Sequence, residues 1–344
     1  MRIVLLTMEY PPQKGGVANY YWGLVQALQK DWNLTMDVQI VKEGYRWYQI
    51  LKNIWRQHCD YLWVGQILPI GTAALILNYY QQQKYIVSLH GMDINLALKH
   101  KSWLTKKILQ RARFIIVNSH YTAQLIPKYI DQKKIIIAYP CPHITYQVDQ
   151  SELLLLKDKY HLPDNYILSV GRLVERKGFQ LVLQAIADLS DRYPDIFYVI
   201  VGSGPYHEYL QQIVIKLGLQ KKVLFLSIAD DRELAGIYQL AKFLCNPTLV
   251  KGADVEGFGI VYLEANYFQK AVIAFASGGV TEAVSDLVTG LISTPQKLIN
   301  DIERLWLDQS LATELGNKGS KIVQTKFSYQ RQAQQIISKL YAKD

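Results

Sequence analysis

Short apolar runs alternate along this chain with longer stretches whose apolar positions recur every three or four residues, a pattern that predicts buried strands separated by amphipathic helices. In the first part the runs fall at residues 1–8, 36–41, 61–64, 85–89, 114–117 and 134–138. Helical periodicity is carried by 47–58, where Ile50, Leu51 and Ile54 share a face, by 70–80 and by 98–113, and Ser119 caps a helix from Tyr121. The loop from Tyr10 to Ala18 opens a further helix reaching about Lys30. Pro140 and Pro142, one residue apart, then break the alternation and predict an extended linker, followed by a short helix at 151–160. The same alternation restarts with runs at 166–170, 196–201, 223–226, 243–247 and 271–275, helices beginning near Phe179 and Gly259, and a last helix at 329–341 with Ala333, Ile336, Ile337 and Leu340 apolar. Unbroken strand–helix alternation with near-continuous apolar strands implies parallel sheets covered on both faces. The expected architecture is α/β: two Rossmann-like doubly wound domains, residues 1–145 and 146–326, facing a central cleft, with a terminal helix in 327–344.

Length agrees with this division, since 344 residues exceed what one core ordinarily holds. Half the residues are apolar and 19% are charged, which excludes a disordered chain. The apolar start is too short for a signal peptide, and the longest nearly apolar run, 67–77, is interrupted by Pro69 and Gly71 and falls short of a membrane span. Cys59, Cys141 and Cys245 have no paired spacing, so neither a disulfide framework nor a zinc site is indicated, and a cytoplasmic setting is expected. The net charge of +9 is unevenly placed: residues 1–145 hold 17 Lys and Arg against 7 Asp and Glu, leaving 21 against 22 for the rest. A first domain with a net charge of +10 is expected to face an anionic surface. The segment 98–113, with six Lys or Arg and Trp103, has the ingredients of a membrane-surface helix, and equally those of a solvated face. No nucleic-acid motif accompanies the charge, so nucleic acid is not expected as a partner.

The candidate chemistry sits at predicted strand ends. Glu256 and Glu264 are eight residues apart, with Gly257-Phe258-Gly259 between the first and a helix start. Such a helix would present the backbone N–H groups of Phe258, Gly259, Ile260 and Val261 to an anion, while the carboxylates suit sugar hydroxyls. Together they describe a nucleotide sugar; a capping Glu256 and a solvated Glu264 are the plain alternative. Gly15 and Gly16 let backbone approach a ligand after the first strand, and His90 ends another strand before Gly91. Arg172 and Lys177 follow the strand at 166–170 and supply counter-charge for a diphosphate leaving group. No two aspartates lie two apart, so no D-x-D metal site is present, and neither a metal nor another cofactor is expected.

The chain resembles the family 4 retaining glycosyltransferases of GT-B fold (glycosyl transferases group 1). The resemblance rests on Pro11-Pro12-x-x-Gly15-Gly16-Val17, His90-Gly91-x-Asp93, Val117-x-Ser119-x-Tyr121-Thr122, the run from Leu168 to Gly178 that holds Arg172, Glu175, Arg176 and Lys177, Val201-Gly-Ser-Gly-Pro205, the spaced Glu256 and Glu264, and Gly278-Gly279 with Glu282 and Thr289-Gly290-Leu291. The resemblance implies that Arg172 and Lys177 bind the diphosphate, Glu256 the transferred sugar, Glu264 the ribose, the amides of Phe258 to Val261 phosphate and sugar oxygens, Gly16 the donor phosphate and His90 the sugar. It further implies transfer of a hexosyl unit from a UDP- or GDP-sugar with retention, without metal or enzyme nucleophile, and a last helix crossing back to the first domain. The expected acceptor is a glycan or a lipid-linked molecule of envelope glycan synthesis, reached from an anionic membrane surface on its cytoplasmic face. Pro140-Cys141-Pro142-His143 and Thr281 depart from the family pattern. Two rival readings are a non-catalytic nucleotide-sugar sensor and a dinucleotide oxidoreductase, the latter weakened because His207 stands where the third glycine of its fingerprint would be.

Overall fold

The computed structural model describes every residue except Lys14, Ala229, Ala253, Lys343 and Asp344. The chain divides into two compact units, Met1–Cys141 together with the segment from Phe327 onward, and Pro142–Lys326. The division falls within the proline linker, four residues before the 145 taken from the sequence.

In the first unit, β1 (Arg2–Thr7), β2 (Thr35–Ile40), β3 (Tyr61–Val64), β4 (Tyr85–Leu89), β5 (Phe114–Val117) and β6 (Ile135–Ile137) form one parallel sheet. Its strand order is β2-β1-β3-β4-β5-β6. The period-two rule is visible in β1: Ile3 and Leu5 enter the core on one face of the sheet, Val4 and Leu6 the core on the other. The connecting helices are α1 (Gly16–Trp32), α2 (Trp47–Ile54), α3 (Ile70–Gln81), α4 (Met92–Arg111) and α5 (His120–Gln124). Ser119 caps α5 by accepting from Thr122 N–H. Order reverses between β1 and β3, the place where an open α/β sheet leaves a crevice at its strand C-termini.

Two helix boundaries differ from expectation. Ile54 ends the helix expected over 47–58, and the helix expected over 98–113 begins six residues earlier, at Met92, with Lys101 in a non-helical conformation (φ −139°, ψ 48°). Asp93 in the first turn complements the helix dipole, and Gly91 takes φ 103° to open it.

The second unit carries α6 (Gln150–Lys159), β7 (Ile167–Val170), α7 (Phe179–Ser190), β8 (Tyr198–Val201), α8 (His207–Lys216), β9 (Val223–Leu226), α9 (Asp231–Leu240), β10 (Phe243–Asn246), α10 (Ile260–Tyr267), β11 (Val272–Phe275), α11 (Val280–Ala283), β12 (Gly290–Ser293), α12 (Leu298–Leu307) and α13 (Gln309–Lys326). All its strand pairs are parallel, in the order β12-β11-β10-β7-β8-β9. β12 is a strand that the sequence pattern did not reveal, because it is four residues long and starts with Gly290. Here the order reverses between β7 and β10, so the loops after these two strands border one crevice.

The last helix, α14 (Tyr329–Leu340), belongs to the first unit. Ala333, Ile336 and Ile337 are buried in the same core as Tyr20, Tyr21 and Trp63. Gln332, fully buried, accepts from Tyr139 N–H at 3.0 Å. Among the described residues no helix is long and apolar enough to cross a membrane.

Candidate active site

At the reversal point of the second unit, the loops after β7 and β10 are fastened to each other. Asn246 at the end of β10 donates from Nδ2 to Val170 O at 2.7 Å and accepts from Val170 N–H at 3.2 Å, and Leu249 N–H donates to Arg176 O at 2.7 Å. Beyond Gly171, residues Glu175–Lys177 form a single 3-10 turn that sends two cations onto the β10 loop. Lys177 Nζ lies 2.5 Å and Arg176 Nη1 2.8 Å from Glu256 Oε2, and Arg176 Nε pairs with Asp254 Oδ1 at 3.0 Å. The three side chains Arg176, Lys177 and Glu256 are each 15% exposed or less, which shields the cluster from solvent screening. Burial alone would raise the Glu256 carboxyl pKa, but Lys177 and then Arg176 outweigh it and hold it at about 2. Glu256 is therefore a carboxylate at neutral pH. An ammonium has three donors, so Lys177 keeps two for a ligand oxygen after bonding Glu256.

The backbone of Glu256 is set by Gly278 and Gly279. A Cβ on Gly278 would stand 2.2 Å from Glu256 O, and one on Gly279 2.2 Å from Gly257 O, while Gly279 N–H donates to Glu256 O at 3.0 Å. These glycines serve close packing of two loops. Gly259 takes φ 91° and opens α10 at Ile260, so the first amides of that helix point out of its N-terminus next to the Glu256 loop. Phe258 itself is buried, 3% exposed. Arg172, expected beside Lys177 at the diphosphate, is exposed on the loop after β7. The residue that joins Lys177 on Glu256 is Arg176, to which the sequence pattern assigns no role; its adjacency to Lys177 is the signal that the sequence carries.

Glu264 is not brought to Glu256. It is buried just over one turn into α10, its Oε2 accepting from Tyr238 O–H at 3.0 Å. Burial raises its pKa to about 7, against the opposing hydrogen bonds from Tyr238 and from the backbone of His143 and Ile144. The carboxyl expected to bind ribose is thus held by α9 and by the linker. Tyr238 lies on α9, a helix that the sequence pattern does not single out.

The first unit collects its residues after β1, β3 and β4. Gly15 (φ 153°) precedes α1; a Cβ there would lie 3.7 Å from Glu9 Oε2, whereas one on Gly16 would meet open space. His90, directly after β4, is enclosed edge-on by Tyr20 and Tyr21 at ring separations of 5.4 and 5.3 Å. Tyr21 O–H donates to Gly65 O at 2.5 Å and lies 2.7 Å from His90 Nε2, so His90 presents Nε2–H to the phenol oxygen. Burial lowers its pKa, with Asp93 acting the other way. The Asp93 carboxylate accepts from His90 N–H at 2.9 Å.

Residues 156–322 match the family model described as glycosyl transferases group 1. A GDP-mannose-dependent alpha-(1-6)-phosphatidylinositol monomannoside mannosyltransferase of Mycolicibacterium smegmatis is 27% identical over 322 residues, 84% of each chain. The structure of Anabaena Alr3699/HepE in complex with UDP and glucose superposes with a TM-score of 0.81 at 18% identity over 100% of both chains. WaaG, a glycosyltransferase involved in lipopolysaccharide biosynthesis, does so with a TM-score of 0.77 at 14% identity, over 99% of this chain and 100% of that one. Residues 156–322 thus carry the sequence of the glycosyl transferases group 1, the fold throughout is that of the GT-B glycosyltransferases, and the chain is a glycosyltransferase.

Proposed function

We propose that this chain transfers a hexosyl unit from a GDP- or UDP-linked donor to a glycan or lipid-linked acceptor in cell-envelope synthesis, with retention of anomeric configuration and without a metal. The observation that carries this reading is the Glu256 carboxylate fixed by Lys177 and Arg176 beside the start of α10. That arrangement places an acceptor of sugar hydroxyls next to cations and helix amides suited to a diphosphate. In the reaction the acceptor oxygen bonds to the anomeric carbon as the bond from that carbon to the β-phosphate oxygen breaks. The acceptor's proton passes to the leaving phosphate, so the products are the glycoside and the nucleoside diphosphate. Lys177, Arg172 and the amides of Gly259 to Val261 stabilise the charge that develops on the leaving group, in the role a metal plays elsewhere. Gly15 and Gly16 approach the donor phosphate and His90 the sugar, while Glu264 reaches the ribose only if its bond to Tyr238 opens. We further place the enzyme on an anionic membrane at its cytoplasmic face, supported by the charge of the first unit and by Trp103, 72% exposed among the lysines of α4.

The first donor to test is GDP-mannose, in view of the relative's name, within a panel of GDP- and UDP-sugars run with and without EDTA. Release of nucleoside diphosphate that survives EDTA and is lost in Glu256→Gln, with an anomeric NMR coupling in the product matching the donor's, is the expected outcome. Inversion, or full activity in Glu256→Gln, would overturn it. Binding of one donor with no turnover would move the reading to a non-catalytic sensor.

A further inference from the structure

Three of the four polar atoms of His90 are already engaged within the first unit. Its backbone N–H donates to Asp93 Oδ1 at 2.9 Å, and its backbone oxygen accepts from Asn118 Nδ2 at 3.3 Å. Nε2 lies 2.7 Å from the Tyr21 hydroxyl. Nδ1 has no hydrogen-bond partner among the described residues. The ring stands directly after β4, at the strand end where the sheet leaves its crevice, and the residue is half-buried. Nδ1 is thus the atom left for a ligand.

What Nδ1 can do follows from where the ring carries its proton. A phenol has one proton to give, and Tyr21 gives it to Gly65 O at 2.5 Å. Towards His90 its oxygen is then an acceptor, so the hydrogen between them comes from Nε2. A neutral imidazole protonated at Nε2 bears a lone pair at Nδ1. The ring stays neutral because burial disfavours its charged form more than Asp93 favours it.

The anchor of this relay is stiff. Gly65 N–H donates to Leu6 O at 2.8 Å, and a Cβ on Gly65 would stand 2.8 Å from both Leu6 O and Thr7 Cβ, so the Gly65 carbonyl is set by close packing on β1. Tyr21 is fully buried on α1 and meets Trp63 edge-on at a ring separation of 5.9 Å. Its hydroxyl has no solvent to turn towards.

We propose that Tyr21 is a positioning residue that makes His90 Nδ1 a pure acceptor, so that His90 receives a hydrogen bond from one hydroxyl of the transferred sugar and rejects groups that can only accept. The identity of the ligand rests on the transferase reading above; the direction of the bond rests on Tyr21 and Gly65. A ring hydroxyl satisfies such an acceptor, whereas a diphosphate oxygen or a fluorine does not.

Two measurements test this. Long-range proton–nitrogen NMR on the full chain with isotope-labelled histidine is expected to show His90, identified by the signals lost in His90→Ala, as the single neutral Nε2–H tautomer at neutral pH. Tyr21→Phe keeps the ring, removes the oxygen, and is expected to show both tautomers. An Nδ1–H tautomer or an imidazolium in the wild type, or an unchanged pattern in Tyr21→Phe, overturns the proposal. The second measurement is kcat/KM for GDP-mannose, or for whichever donor of the panel is turned over, against its monodeoxy and monodeoxyfluoro analogues. Wild type is expected to lose about tenfold or more at one ring position, equally for hydrogen and for fluorine, and Tyr21→Phe to shrink that loss to about threefold or less. Fluorine restoring activity at every position where hydrogen loses it would show that His90 donates, and overturns the proposal. So does a Tyr21→Phe enzyme that is slower yet discriminates as the wild type does, since a merely structural tyrosine would behave in that way. Absence of turnover with every donor defeats the transferase reading alone, because the tautomer is read without a ligand.

Discussion

Two glutamates eight residues apart end in opposite electrostatic states. Glu256 is drawn down to about 2 by Lys177 and Arg176, and Glu264 is pushed up to about 7 by burial. A depressed carboxyl stabilises the fold above its unfolded pKa near 4.5, and that contribution is lost as pH falls from there towards 2. A raised carboxyl does the reverse: the folded state binds the proton more tightly, so stability declines as pH rises from about 4.5 through 7. Glu264→Gln is therefore expected to flatten the urea-unfolding free energy between pH 5 and 8, where wild type loses on the order of 3 kcal/mol; parallel pH profiles for the two proteins would count against it. Lys177→Ala is expected to lower kcat/KM for transfer by about 10^2 to 10^3, because it removes counter-charge from the leaving group and loosens Glu256 together. Donor-release kinetics measure this, and a loss below fivefold would move the diphosphate contact to Arg172.

Elements were legible in the sequence where one residue pattern was enough to define them. The central strands β1, β3, β4 and β5 were readable because they are largely buried on both faces and so nearly continuous in apolar residues, whereas β2 at the sheet edge carries Asp37 and Gln39 and is only partly buried. The start of α4 was not readable. Asp93, Leu96 and Ala97 belong to a helix turn that begins at a glycine with positive φ, and its break at Lys101 split the periodicity so that only the basic second part stood out. The function of Gly278 and Gly279 was hidden in the same way, because their neighbours are backbone atoms of a loop twenty residues earlier. Gly23 in α1 shows the sign such packing imposes. A glycine within a helix usually costs about 1 kcal/mol against alanine, yet a Cβ here would stand 2.2 Å from the ring of Tyr329, whose hydroxyl is bonded to Asn19 O and Cys141 O and cannot swing away. Gly23→Ala is expected to destabilise the first unit by about 1–3 kcal/mol, read as a lower denaturation midpoint; a stabilised variant would show that Tyr329 repacks.

At the scale of the molecule, the first unit is assembled from both ends of the chain. α14 supplies Ala333, Ile336 and Ile337 to the core that holds Tyr20, Tyr21 and Trp63, so a chain ending at Lys326 uncovers that core. Such a truncation is expected to abolish the unfolding transition of the first unit, and to leave that of Pro142–Lys326 in place, since the latter has a core of its own. Two intact transitions in a calorimetric scan of the truncated chain would contradict this. The sequence by itself determined the alternating α/β plan, the glycine and cation motifs at strand ends and the surplus charge of the first unit, because these depend on local periodicity and on residue type. Which cation holds Glu256, what holds Glu264, and which nitrogen of His90 meets Tyr21 were decided only by the tertiary structure. Each depends on which strands become neighbours, and in a parallel sheet those neighbours come from residues tens of positions apart, with no local pattern to announce them.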